Sequence, residues 1–119
     1  MSITYIANNF GRIATATEYA QYKQMDLQKY HIYNNLLNTL NIIADNSGYL
    51  VGVIEEDYNI TTIDTDDLIA ILEELSEGDY DINTDESILQ QFKNLQKEYC
   101  EQSEKIAKFK HNIMIGNRQ

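Results

Sequence analysis

The sequence predicts a mostly helical α+β fold: two long paired helices with coiled-coil-like packing, a small β-hairpin and a short acidic helix. Three observations carry that expectation. The last third of the chain repeats apolar residues in unbroken steps of four and three. The first third opens on a helix-capping phrase followed by a long apolar stripe. Between them lies a stretch of β-branched and aromatic residues broken by an acidic turn.

The first helix is expected over residues 15–45. In "TATE", the Thr15 hydroxyl can accept from the Glu18 amide while the Glu18 carboxylate reaches back to the Thr15 amide. Tyr19, Tyr22, Met25, Tyr33, Leu36, Leu40 and Ile43 follow at helical steps, with an eight-residue jump after Met25, and Tyr30 and Leu37 widen the stripe. The far end reads "NSG", where Gly48 can take the left-handed conformation that stops helices.

Residues 49–63 read as the β-hairpin. "YLVGVI" and "YNITTI" have strand composition, with "EED" between them as a turn, and the N-terminal "SITYIA" can supply a third strand. A short helix is expected over 66–76, its apolar face made of Leu68, Ile71, Leu72 and Leu75, and Gly78 ends it.

The last helix is expected over 85–115. Its seam is Ile88, Phe92, Leu95, Tyr99, Gln102, Ile106, Phe109 and Ile113, a heptad pattern with one polar insert at Gln102. Glu101 with Lys105 and Glu104 with Lys108 are favourably oriented i,i+4 pairs. A helix of 31 residues extends about 45 Å, whereas a compact chain of this size has a radius of gyration near 13 Å. Such a helix must pair lengthwise. The 15–45 helix has the same length, so an antiparallel pair within one chain or a bundle shared by two chains, a homodimer through the long helices, would satisfy both.

The whole chain of 119 residues is the size of one domain. Its composition is globular and no apolar run approaches the roughly 18 residues of a membrane span. The N-terminus lacks the pattern of a signal peptide and Cys100 is the lone cysteine, which together point to a reducing, cytoplasmic setting. Abundant Asn, Ile, Tyr and Lys suit AT-rich coding, as in a low-GC bacterium or its phage.

Charge is unevenly spread. Residues 1–50 balance, residues 87–119 carry six bases against three acids, and residues 51–86 hold thirteen acids and no base, so the net charge of -10 arises wholly from that middle segment. Part of it is explained locally. "DYNITTIDTDDLI" and "DYDINTDESI" share one phrase ending in a Thr-Asp-acid helix start, so Asp64, Asp66, Asp67, Asp85 and Glu86 sit where a helix dipole favours carboxylates. Thr84 is read as the cap of the last helix.

Within that phrase Asp79, Asp81, Asn83 and Asp85 occupy positions 1, 3, 5 and 7 of a twelve-residue loop that resembles an EF-hand calcium loop over its first half. Thr84 stands where that motif has Gly, Glu86 where it has an apolar residue, and Gln90 where it has a bidentate Glu.

The remaining acids, Glu55, Glu56, Asp57, Glu73, Glu74, Glu77, Asp79 and Asp81, have no local stabilising role. They are either a solvated face partly neutralised by Lys residues of the last helix, or a surface presented to a basic partner.

Nothing in the sequence spells an enzyme. It has no phosphate-binding Gly-rich loop, GxSxG or HExxH; His31 and His111 fall on different helices; and Cys100, beside the seam residue Tyr99, reads as a buried or half-buried structural thiol. No cofactor is implied. Direct nucleic-acid binding is disfavoured, because Lys93, Lys97, Lys105, Lys108 and Lys110 alternate with Glu98, Glu101 and Glu104 in an anionic chain.

The expected function is that of a non-enzymatic acidic interaction protein that blocks a basic surface of another protein, such as a nuclease or other nucleic-acid-binding protein. It would act as an inhibitor, an immunity protein or a nucleic-acid mimic. The alternatives are a coiled-coil adaptor or phage assembly chaperone acting through the 85–115 helix and, more weakly, a calcium-responsive module.

Overall fold

The computed structural model describes residues 3–6 and 12–116. Ser2 and Ala7, the ends of the "SITYIA" segment, and Arg118 lie outside the described residues. The chain runs β1 (Ile3–Ile6), β2 (Arg12–Thr15), α1 (Ala16–Ile43), α2 (Gly48–Asp57), α3 (Thr65–Ser76) and α4 (Glu86–Gly116). It packs as two compact units, one from Met1–His31 with Glu101–Gln119 and the other from Ile32–Cys100. The long helices α1 and α4 therefore each contribute a segment to both. Mostly helical is the right class.

In the first unit β1 and β2 pair antiparallel, with Ile3 opposite Thr15 and Ile6 opposite Arg12. α1 starts on the reciprocal cap: Thr15 N donates to Glu18 Oε1 at 2.8 Å, and Glu18 N donates to Thr15 Oγ1 at 3.0 Å. Two amides that the first turn cannot satisfy internally are thereby satisfied. The core of this unit is small. Tyr22 of α1 clusters with Ile106 and Ile113 of α4, and Tyr19, Met25 and Phe109 pack on them. Gln102 is buried beside them and donates its amide hydrogen to the Met25 carbonyl at 2.9 Å. A buried amide must find a partner, and the Met25 carbonyl supplies one.

The second unit holds the main core, in which Leu36, Leu40, Ile43, Leu50, Ile54, Leu68, Leu72 and Phe92 are fully buried. Ile32, also buried, occupies the gap left by the eight-residue jump after Met25. Tyr30 does not widen the stripe as expected; it is exposed, because its position on the helix points away from the buried side.

The β-hairpin expected over 49–63 is replaced by α2 and a turn. Ser47 caps α2, its hydroxyl accepting from Leu50 N at 3.3 Å, and Leu50 and Ile54, one helical turn apart, are both fully buried. Valine and isoleucine lose only tenths of a kcal/mol in a helix relative to good helix formers. Burying Leu50 and Ile54 returns about 1.5–3 kcal/mol each. Tertiary packing wins. The "YNITTI" half is an Asx turn: Asn59 Oδ1 accepts from Thr61 N at 3.0 Å and Thr61 Oγ1 at 2.6 Å, and Ile60 plugs the core. The Gln96 amide of α4 clamps this turn by donating to the carbonyls of Ile60 at 3.1 Å and Ile63 at 2.7 Å.

Gly48 does not end α1 either; it is the first residue of α2. α1 closes two to three residues earlier, on Asp45 and Asn46, both at positive φ, with Asn46 N donating to Asn41 O at 2.7 Å and Asp45 N to Ile42 O at 3.1 Å. That is the Schellman arrangement, built on residues that tolerate the left-handed region better than most.

α3 is capped by Asp64, whose Oδ1 accepts from Asp66 N at 2.8 Å. It ends on Glu77 at φ 50 followed by Gly78 at φ 86. The loop after it is pinned in two places. Ile82 packs on the core, and Asn83 N donates to Ile43 O at 2.8 Å, satisfying a carbonyl that the end of α1 leaves open.

Candidate functional site

The eight singled-out acids fall on three stretches of the second unit. Glu55, Glu56 and Asp57 form the last turn of α2. Glu73 and Glu74 lie in the last turn of α3, and Glu77 is its C-terminal cap. Asp79 and Asp81 lie on the loop beyond, where Asp79 N donates to Ser76 O at 2.8 Å and keeps the exit of α3 tight. All eight are exposed.

The replacement of strand by helix changes the electrostatics of Glu55, Glu56 and Asp57. They now occupy the negative end of a helix dipole, as Glu73 and Glu74 do, and neither helix has a basic residue in its last turn. Carboxylates there cost about 0.3–1 kcal/mol each at low ionic strength. Among the described residues, no ion pair joins any of the eight to a Lys or Arg. The unit of Ile32–Cys100 carries fifteen acids against Lys93 and Lys97, whereas the other unit carries seven bases and four acids. The acidic field is thus confined to one unit.

One of the eight has an intramolecular partner. Tyr33 Oη donates to Glu55 Oε2 at 3.2 Å, and the Tyr33 ring lies 6.0 Å from that of Tyr99. Burial, then the adjacent Glu55 carboxylate, pushes the Tyr33 hydroxyl above the ordinary tyrosine range. Glu55 therefore also ties α2 to α1, a role the sequence did not disclose.

Exposed aromatic residues neighbour these acids along the chain. Tyr58 follows Asp57 and Tyr80 stands between Asp79 and Asp81, while Tyr49 lies in the first turn of α2, at the end opposite Glu55, Glu56 and Asp57; all three are exposed. The two "DY" pairs were visible as a repeated phrase, but Tyr is amphipathic and its exposure cannot be read from spacing. Exposed tyrosines among carboxylates suit contact with cationic side chains, above all arginine.

The seam residues are accounted for within the chain. Phe92, Leu95, Gln102, Ile106 and Ile113 are buried, and Ile88, Tyr99 and Phe109 are half-buried. Cys100, expected to be at least half-buried, is exposed: one residue beyond Tyr99 is a rotation of about 100° off the seam. His31 and His111 are both exposed.

The calcium-like loop is used for capping. Asn83 Oδ1 accepts from Asp85 N at 3.0 Å, repeating the Asp64 bond to Asp66 N. Asp85, rather than Thr84, then caps α4: its Oδ1 accepts from Ser87 N and Ser87 Oγ, each at 2.8 Å, and these bonds hold its carboxyl below the usual carboxylate range. Among the described residues no three His, Cys, Asp or Glu side chains gather as a metal would require. Nor, among them, is any helix long and apolar enough to cross a membrane. Comparison with protein-family models, curated proteins and solved structures finds no match.

Proposed function

We propose that this chain is a non-enzymatic binding protein whose acidic unit occupies a basic surface of another protein, as an inhibitor, an immunity protein or a nucleic-acid mimic. One observation carries the reading. Glu56, Asp57, Glu73, Glu74 and Glu77 sit at the C-terminal ends of two helices, where they oppose the dipole and have no basic neighbour in the turn, and Glu55 beside them is set apart by its bond from Tyr33. Local stability would select against that placement, so a use outside the chain is the economical account of it. Tyr58 and Tyr80, exposed beside Asp57 and between Asp79 and Asp81, supply contact area next to these carboxylates.

A nuclease or other nucleic-acid-binding protein is the partner class whose surface best matches clustered carboxylates, because it already binds a polyanion. The adaptor alternative is less favoured, since the apolar seam of the 85–115 helix is taken up in the chain's own cores.

The test is capture of partners from the cell that makes the protein, comparing the wild-type chain with a Glu73→Lys, Glu74→Lys, Glu77→Lys variant of unchanged circular dichroism. The reading requires a basic protein that binds the first and not the second. Equal capture by both refutes it.

A further inference from the structure

We propose that the outward face of α1 in the less acidic unit is a homodimer contact, in which two copies pair antiparallel about residue 25. Leu27 and Tyr30 are 50% and 61% exposed, and with Ala20 and Lys23 they line an open groove on this helix. At about 100° per residue, Ala20, Lys23, Leu27 and Tyr30 fall on one face, and Met25, which packs into the core, lies nearly opposite Leu27. The steps between them are three, four and three, the spacing of a second seam.

The occupant follows from size and charge. Turned end for end about residue 25, this face is complementary to itself: Ala20 lies opposite Tyr30 of the second copy and Lys23 opposite Leu27, so the small end of the groove receives the large side chain, twice by symmetry. Along one edge, Lys23 falls within about one residue rise of Asp26 of the second copy, giving two symmetric ion pairs at the positions that set orientation in helical pairs. Lys23 lies over the Tyr19 ring at 5.9 Å in the single chain, a contact the inter-copy ion pair would replace. Net charge selects this unit too. Two copies meeting through the unit with fifteen acids and two bases would repel, whereas the unit with seven bases and four acids can approach its own copy at little cost.

Sedimentation velocity on the full chain over a concentration series tests this. The wild-type chain should dimerise reversibly, and Leu27→Asp and Lys23→Asp should each weaken the dimer at least about tenfold with helical content unchanged. The exchange Lys23→Asp with Asp26→Lys should restore it, which no simple surface effect would do. A wild-type chain that stays monomeric, a dimer indifferent to Leu27→Asp, or an exchange variant no tighter than Lys23→Asp alone would overturn the proposal.

Discussion

Neutralising Glu73 and Glu74 separates stability from function. Glutamine matches glutamate in volume and helix propensity, so Glu73→Gln with Glu74→Gln removes charge and little else. Both residues lie in the last turn of α3, which has no base. Relieving two unfavourable dipole contacts of about 0.3–1 kcal/mol each should stabilise the fold by about 0.6–2 kcal/mol at low salt. For 119 residues the unfolding entropy is about 0.25 kcal/mol/K, which converts the gain to a melting temperature about 2–8 °C higher. Thermal denaturation by circular dichroism reads it directly. In 1 M salt, where screening acts within about 3 Å, most of the gain should vanish. The same double variant should bind its basic partner more weakly. A variant that is less stable than wild type, or whose gain does not depend on salt, refutes the electrostatic account of this surface.

Three further outcomes follow from the fold. Gly52→Ala, at an exposed mid-helix position of α2 with open space around the added Cβ, should stabilise by about 0.5–1 kcal/mol in chemical denaturation. Gln96→Met keeps the bulk and removes both bonds to the Ile60 and Ile63 carbonyls, and should cost about 1–3 kcal/mol by the same assay. Because Tyr33 titrates above its ordinary range, the stability it contributes is complete below that range and is lost as pH rises through the raised value. Glu55→Gln should reduce that alkaline loss in part in unfolding measurements, since the neighbouring charge is gone while burial, the larger cause, remains.

Much of the helical frame was legible because its signals are local. The Thr15 and Glu18 box forms as its spacing suggests, and the steps from Ile88 to Ile113 fall on residues that are buried or half-buried. Residues 49–63 misled because a short apolar run has no period long enough to distinguish strand from helix. What decided it was Leu50 and Ile54 meeting the core, a fact of tertiary packing, together with a serine cap that the glycine beside it obscured. The acids stood out in the charge pattern, and Glu73, Glu74 and Glu77 could be placed against the dipole of the short helix, but the opposition of Glu55, Glu56 and Asp57 to a second dipole appeared only once α2 was a helix. Gln96 and the Tyr33 to Glu55 bond span 36 and 22 residues respectively, and no local pattern announces contacts of that range.

The central claim is that charge on the acidic unit drives binding, and the salt dependence of affinity tests it most directly. For a partner captured from the native cell, log Kd plotted against log salt concentration should rise steeply, and the slope should fall in the Glu73→Lys, Glu74→Lys, Glu77→Lys variant. An affinity that is flat across the same salt range, or a slope that the three reversals leave unchanged, would contradict it.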